Sequence, residues 1–220
     1  MSLGTLVSPG SLCRLGAIMS AAREYGLDDQ YEWARPPAGG WTADDLDRLP
    51  SLPPHTELID GSLVFMSPQT RFRTRAMRLL ENALMDQAPD DLEAIREMTV
   101  RLDRRNRPEP DVLVVPVEAD TGPGQTWFRP EDVVLAVEVV SADSLERDRE
   151  VKPRKYAQAR MPHFWRVEQR DGLPVVYVYE LDPATLAYMP VDIFHQRLNV
   201  DRPFPVEIDL TAVNRREPRA

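Results

Sequence analysis

At 220 residues the chain has room for one domain with a sizeable core, and 42% hydrophobic with 29% charged residues is ordinary globular make-up. A net charge of -9 gives no general attraction for nucleic acid, so any such function needs a local basic patch or metal ions. The single cysteine, Cys13, excludes an intramolecular disulfide and a cysteine-built zinc site.

A cytoplasmic location fits that cysteine usage. No apolar run approaches the roughly 20 residues a membrane span needs. The first 20 residues lack the basic start and long apolar stretch of a signal peptide. Met19 is an alternative start to Met1, and residues 1–40 read as an extension and linker, largely disordered, ending in "ARPPAGG". A single domain is expected over 41–212 and a polar tail over 213–220.

"WTADDLDRLP" has a capping Thr42, acids in a first turn and a proline stop, so it predicts a short helix. Asp60-Gly61 predicts a hairpin within "HTELIDGSLVFMSP". Helical spacing of Phe72, Ala76, Leu79, Leu80, Ala83 and Leu84 predicts a helix that stops before Pro89. "EAIREMTVRLD" reads as one strand. Two uninterrupted apolar strands follow, 112–115 and 133–137, as expected of strands covered on both faces at a sheet centre. The segment between them, from Glu118 to Asp132, reads as loop. A helix then includes Pro153, which suits a first turn and a helix over about 152–160. "HFWRVEQ" and "PVVYVYELD" are strands joined at Asp171-Gly172, and "LAYMPVDIF" and "FPVEIDL" are shorter ones. The order predicts an α/β (α+β) domain: a central mixed sheet with helices packed on it.

Two carboxylates stand out. Asp111 opens the first apolar strand and Glu138 interrupts the run "VVLAVEVVS". A carboxylate within an apolar strand costs several kcal/mol unless paired, hydrogen-bonded or metal-bound. If the strands are antiparallel neighbours, the two acids meet at one end and offer a hard oxygen site for Mg²⁺ or Mn²⁺. Asp111 also fits a plain turn after Pro110, and Glu138 an exposed strand face. Downstream, Asp148, Lys152, Lys155 and Tyr156 lie close in sequence, with Lys152 and Tyr156 on one helix face. Arg71, Arg73, Arg75 and Arg78 form a basic helix face, suited to a phosphate backbone or merely to solvent.

"TELIDGSLVFMSP", "RPEPDVLVV", "LAVEVVSADSLERDREVKPRKYAQARMPHFWRVE" and "PVVYVYELD" together resemble the Uma2 family of restriction-endonuclease-like proteins, within the PD-(D/E)XK nuclease superfamily. The resemblance covers residues 42–210. It implies a restriction-endonuclease-like core and a Mg²⁺- or Mn²⁺-dependent endonuclease acting on nucleic acid, DNA foremost, with a homodimer in view. By the same resemblance Asp111 and Glu138 are metal-binding catalytic acids, Glu57 is a supporting ligand and Lys152 the catalytic lysine, with Lys155 as its rival. The superfamily's usual lysine position, two residues after the second acid, holds Val140. Arg73 stands where many relatives have a histidine, and Ser141-Ala142 where they have Ser-Pro. The alternative is a catalytically silent nucleic-acid-binding or interaction module of the same fold.

Overall fold

A computed structural model describes residues 36–215. Its strands are β1 (Thr56–Ile59), β2 (Ser62–Phe65), β3 (Leu92–Arg96), β4 (Thr99–Val100), β5 (Val112–Pro116), β6 (Trp127–Phe128), β7 (Leu135–Val139), β8 (His163–Arg170), β9 (Leu173–Asp182), β10 (Ala187–Phe194), β11 (Arg197–Val200) and β12 (Val206–Asp209). Its α-helices, among the described residues, are α1 (Arg71–Gln87) and α2 (Lys152–Gln158). The sequence expectations for residues 1–35, including a start at Met19, lie outside the described residues, as do 216–220. Val213, where the polar tail was expected to begin, is buried.

Six strands form the central sheet in the order β10-β9-β8-β7-β5-β3. Only β7 and β8 run parallel; the other neighbours are antiparallel. This is the mixed sheet the sequence predicts. The apolar runs in β5 and β7 follow from its position. On one face Val112, Val114, Val137 and Val139 pack with Ala76, Met77 and Leu80 of α1 and with Leu198 and Ile208 of the β11–β12 hairpin. On the other, Leu113, Val115 and Ala136 pack with Tyr156 of α2 and Phe164 of β8. Both faces are covered, so neither strand alternates.

Helix α1 starts where Thr70 accepts a hydrogen bond from the Arg73 N–H, 3.2 Å. It ends at Ala88, ahead of Pro89. A π-helical turn, Arg147–Val151, precedes α2. There the Lys152 N–H bonds the Arg147 carbonyl, five residues back. Pro153, which has no N–H, then falls within the first turn of α2. The wider turn accommodates a proline that a continuous α-helical ladder would exclude.

Three sequence expectations fail locally. Residues 42–49 form successive turns and no helix. The Thr42 hydroxyl and N–H both donate to Asp45 Oδ2, at 2.7 and 2.8 Å, and such local side-chain bonding competes with a short helix. The single strand expected over 93–103 is split into β3 and β4. Glu97 adopts a positive φ of 55° between them, and β4 leaves the main sheet to pair in parallel with β6. Strand β6 itself interrupts the expected loop, and β11 was not foreseen. β11 is four residues with only Leu198 buried, too short a pattern to separate from loop.

The Asp60-Gly61 hairpin forms as predicted, with Ile59 opposite Ser62 and positive φ at Asp60 (52°) and Gly61 (79°). A Cβ on Gly61 would lie 2.8 Å from the Arg105 guanidinium. Gly61→Ala should therefore cost about 1–2 kcal/mol from the left-handed backbone alone, read as a lower midpoint in urea denaturation. An unchanged midpoint would show that the hairpin tip relaxes freely. The tip matters because it holds β1, and β1 carries Glu57.

Candidate active site

Sheet, hairpin and helix each deliver charge to one buried place. Glu57 (β1) is 1% exposed, Asp111 (before β5) 1%, Glu138 (β7) 0%, Asp148 (π-helical turn) 1% and Lys152 (α2) 1%. Lys152 Nζ lies 2.7 Å from Glu57 Oε1, 3.0 Å from Glu138 Oε2 and 3.5 Å from Asp148 Oδ1. The Tyr156 hydroxyl donates to Glu138 Oε1 at 2.5 Å. Asp148, Lys152 and Tyr156 recur at four-residue steps, which is why one turn-and-helix segment aims all three inward.

Asp111 reaches the cluster by a different bond set. Its Oδ1 accepts from Arg73 Nε (2.9 Å) and Nη2 (2.5 Å), and its Oδ2 from the Val139 N–H (2.6 Å). That last bond anchors it one residue beyond Glu138. The Asp111 N–H in turn donates to the Val137 carbonyl, 3.0 Å. The Asp111 and Glu138 charges act on each other, and Lys152 acts on both.

The structure thus brings Glu57, Glu138 and Lys152 into direct contact and places Asp111 in the same charge cluster. Lys155 lies elsewhere, with Nζ 2.6 Å from Asp60 at the hairpin tip. The basic face proposed for α1 needs correction at Arg73, which is buried and turned onto Asp111. Arg75 donates to Asn214 at 3.2 Å. Three contributors were left out of the predicted site: Arg73, Asp148 and Tyr156. The last two carried a signal in their spacing from Lys152. The burial of Arg73 carried one too: it precedes Ala76, Met77, Leu80 and Leu84 at helical spacing, on the apolar stripe of α1, whereas Arg71, Arg75 and Arg78 share another face.

Four carboxylates face two cations, Arg73 and Lys152, an excess of two negative charges when all four acids are ionised. Burial pushes the Asp111 carboxyl up to about 6, against the pull of Arg73 and the Val139 N–H. Burial also raises Glu138 well above the usual carboxylate range; Lys152 opposes this, while Asp148 and Asp111 add to it. The Lys152 ammonium keeps its proton to high pH because Glu138, Glu57 and Asp148 outweigh the burial that opposes its charge.

This fixes a sign for stability against pH. An unfolded Asp111 titrates near 3.8 and the folded one near 6, so between these values the folded chain holds more protons. This contribution to stability falls as pH rises through that window, by on the order of a few kcal/mol, which for a chain of this size is several degrees in melting temperature. The lowered carboxyls of Asp182 and Asp209 act in the opposite sense below that window. Melting curves from pH 4 to 7 should show the fall, and Asp111→Asn should reduce it, leaving the part that Glu138 contributes. A wild-type curve that rises throughout would contradict this cluster.

Whether a divalent ion suits these groups turns on their oxygens. Mg²⁺ keeps several waters and needs only one or two carboxylates. Glu57 Oε2 is buried and has no hydrogen-bond partner, and an excess of two negative charges matches one divalent ion. Among the described residues, no three acid, histidine or cysteine side chains are arranged as ready ligands. The oxygens are donors of the kind a hard divalent ion takes, and the cations Arg73 and Lys152 now stand against them.

A six-stranded mixed sheet with few helices and an acidic cluster at a strand end has the architecture of a nuclease-like fold. The crystal structure of a "putative nuclease belonging to DUF820" from Anabaena variabilis is similar, with a TM-score of 0.55 at 15% identity over 74% of this chain and 89% of that one. The chain belongs to the Uma2 family, described as "Putative restriction endonuclease", whose sequence profile matches residues 43–213. A search of curated proteins found no match. Among the described residues no helix is long and apolar enough to cross a membrane.

Proposed function

We propose that the buried cluster is the active centre of a divalent-metal-dependent endonuclease that hydrolyses phosphodiester bonds in nucleic acid, with DNA as the first substrate to test. Family membership supports the nuclease class, and such nucleases generally use divalent metals. The observation that carries the reading is the cluster's negative excess beside the unpartnered Glu57 Oε2. Asp111 and Glu138 would hold Mg²⁺ or Mn²⁺, with Glu57 assisting. The ion would neutralise charge that develops on the phosphate and lower the pKa of a bound water.

The chain's own residues have separate tasks. The Val139 N–H fixes Asp111 and the Tyr156 hydroxyl fixes Glu138. Lys152, charged at any working pH, holds Glu57 and Glu138 to one point. Its ammonium would orient the attacking water or stabilise phosphate charge. A cytoplasmic location and a homodimer belong to the same proposal.

A silent nucleic-acid-binding module is the second reading. The closure of the site favours it, since Lys152 and its acids are all within 1% of full burial. The separating assay is nicking of plasmid, single-stranded DNA and RNA, with Mg²⁺, Mn²⁺ or chelator. Cleavage that needs metal and is lost in Asp111→Asn supports the endonuclease. Equal cleavage by wild type and Asp111→Asn points to a contaminant or another site. Binding of nucleic acid without cleavage under any condition supports the silent module.

A further inference from the structure

The Arg73–Asp111 pair sits badly with a metal role for Asp111. Oδ1 takes two guanidinium bonds, at 2.9 and 2.5 Å, and Oδ2 takes the Val139 N–H at 2.6 Å. Little acceptor capacity remains, and a cation already stands against the carboxylate. Nor is Arg73 there for the helix's sake. It lies in the first turn of α1, which has no acidic residue, and the positive end of a helix dipole repels a guanidinium. The ion pair with Asp111 is the main compensation for that repulsion and for the burial of Arg73, whose side chain is 8% exposed, with Glu138 and Asp148 adding to it.

Taking Asp111 as a metal ligand, as in the proposed function, we propose that Arg73 is a built-in counter-cation. It holds Asp111 when no divalent ion is bound, and it must leave that carboxylate when one binds. Ion and guanidinium then compete for the same oxygens, so Arg73 lowers metal affinity and keeps the metal-free cluster folded. Release frees a fork of donors that matches a phosphate, at a helix start that already favours an anion. Metal binding would in this way prepare an anchor for the substrate backbone.

The test reads metal binding, not cleavage. Mn²⁺ titrated calorimetrically into chelator-treated protein should bind Arg73→Gln about ten-fold or more tightly than wild type. Arg73→Lys, which keeps the charge but loses the fork, should fall between them. Circular dichroism confirms that each variant is folded. If Arg73→Gln does not fold, wild type still decides. In ¹⁵N NMR, the Arg73 Nε–H signal, assigned by its loss in Arg73→Lys, should be protected from exchange in chelator and lose protection as Mg²⁺ saturates. Equal or weaker Mn²⁺ binding by folded Arg73→Gln, or a signal unchanged by saturating Mg²⁺, overturns the competition and leaves the proposed function standing. Absence of metal binding in every protein overturns both.

Discussion

Glu138→Gln should reduce metal-dependent nicking by about 100- to 1,000-fold, the loss expected when several kcal/mol of charge stabilisation disappear. The same change should leave the fold at least as stable as wild type at neutral pH. Burial raises the Glu138 carboxyl well above its usual range, so its charged form is unfavourable where it sits. Glutamine keeps the shape and a carbonyl oxygen for the Tyr156 hydroxyl. Lys152 would still have Glu57 at 2.7 Å and Asp148 at 3.5 Å. A group that harms stability and serves activity is a functional group, since an ion pair kept for structure alone shows the reverse balance. Nicking rates and urea midpoints measured on one preparation provide the check. A variant that is destabilised by more than 2 kcal/mol yet nicks normally would mark Glu138 as structural.

Much of the fold was readable because local chemistry and burial agreed. Asp60-Gly61 and Asp171-Gly172 each form a two-residue turn with both residues at positive φ, as their sequence requires. The apolar run of β5, and that of residues 133–137 leading into β7, announced strands covered twice over. The failures came where side chains bonded locally or where strands were very short. Thr42 and Asp45 bind each other, which composition alone does not distinguish from a helix cap. Glu97 turns the chain out of the sheet at an ordinary-looking position.

For the site, sequence supplied residue types, and the Uma2 resemblance singled out four of them. It could not supply partners. Arg73 lies 38 residues from Asp111; its helical phase with Ala76, Met77 and Leu80 sets it apart from Arg71 and Arg75, but phase does not name a partner. Only the packing of α1 against β5 and β7 brings it to that carboxylate. Lys152 shows the converse: four residues from both Asp148 and Tyr156, it belonged to a recognisable face before any fold was known.

Lys152→Met should destabilise the chain by about 3–5 kcal/mol at pH 8, because it leaves buried acids without their cation. That is a large part of the 5–15 kcal/mol typical of a domain. Methionine fills similar space, so the effect is one of charge and not of a cavity. The acids can relieve it by taking up protons, and the loss should therefore shrink towards pH 5. Urea denaturation at pH 5 and pH 8 measures both. Adding Glu138→Gln removes one of the stranded acids, and the double variant should recover part of the loss, with a coupling of at least about 1 kcal/mol. A penalty below 1 kcal/mol at pH 8, with no coupling to Glu138, would mean that Lys152 does not hold these carboxylates together. With the coupling in hand, activity can be compared on folded protein. Glu138→Gln and the double variant should be equally inactive, because a lysine that acts on chemistry held by Glu138 has nothing further to lose once that acid is gone.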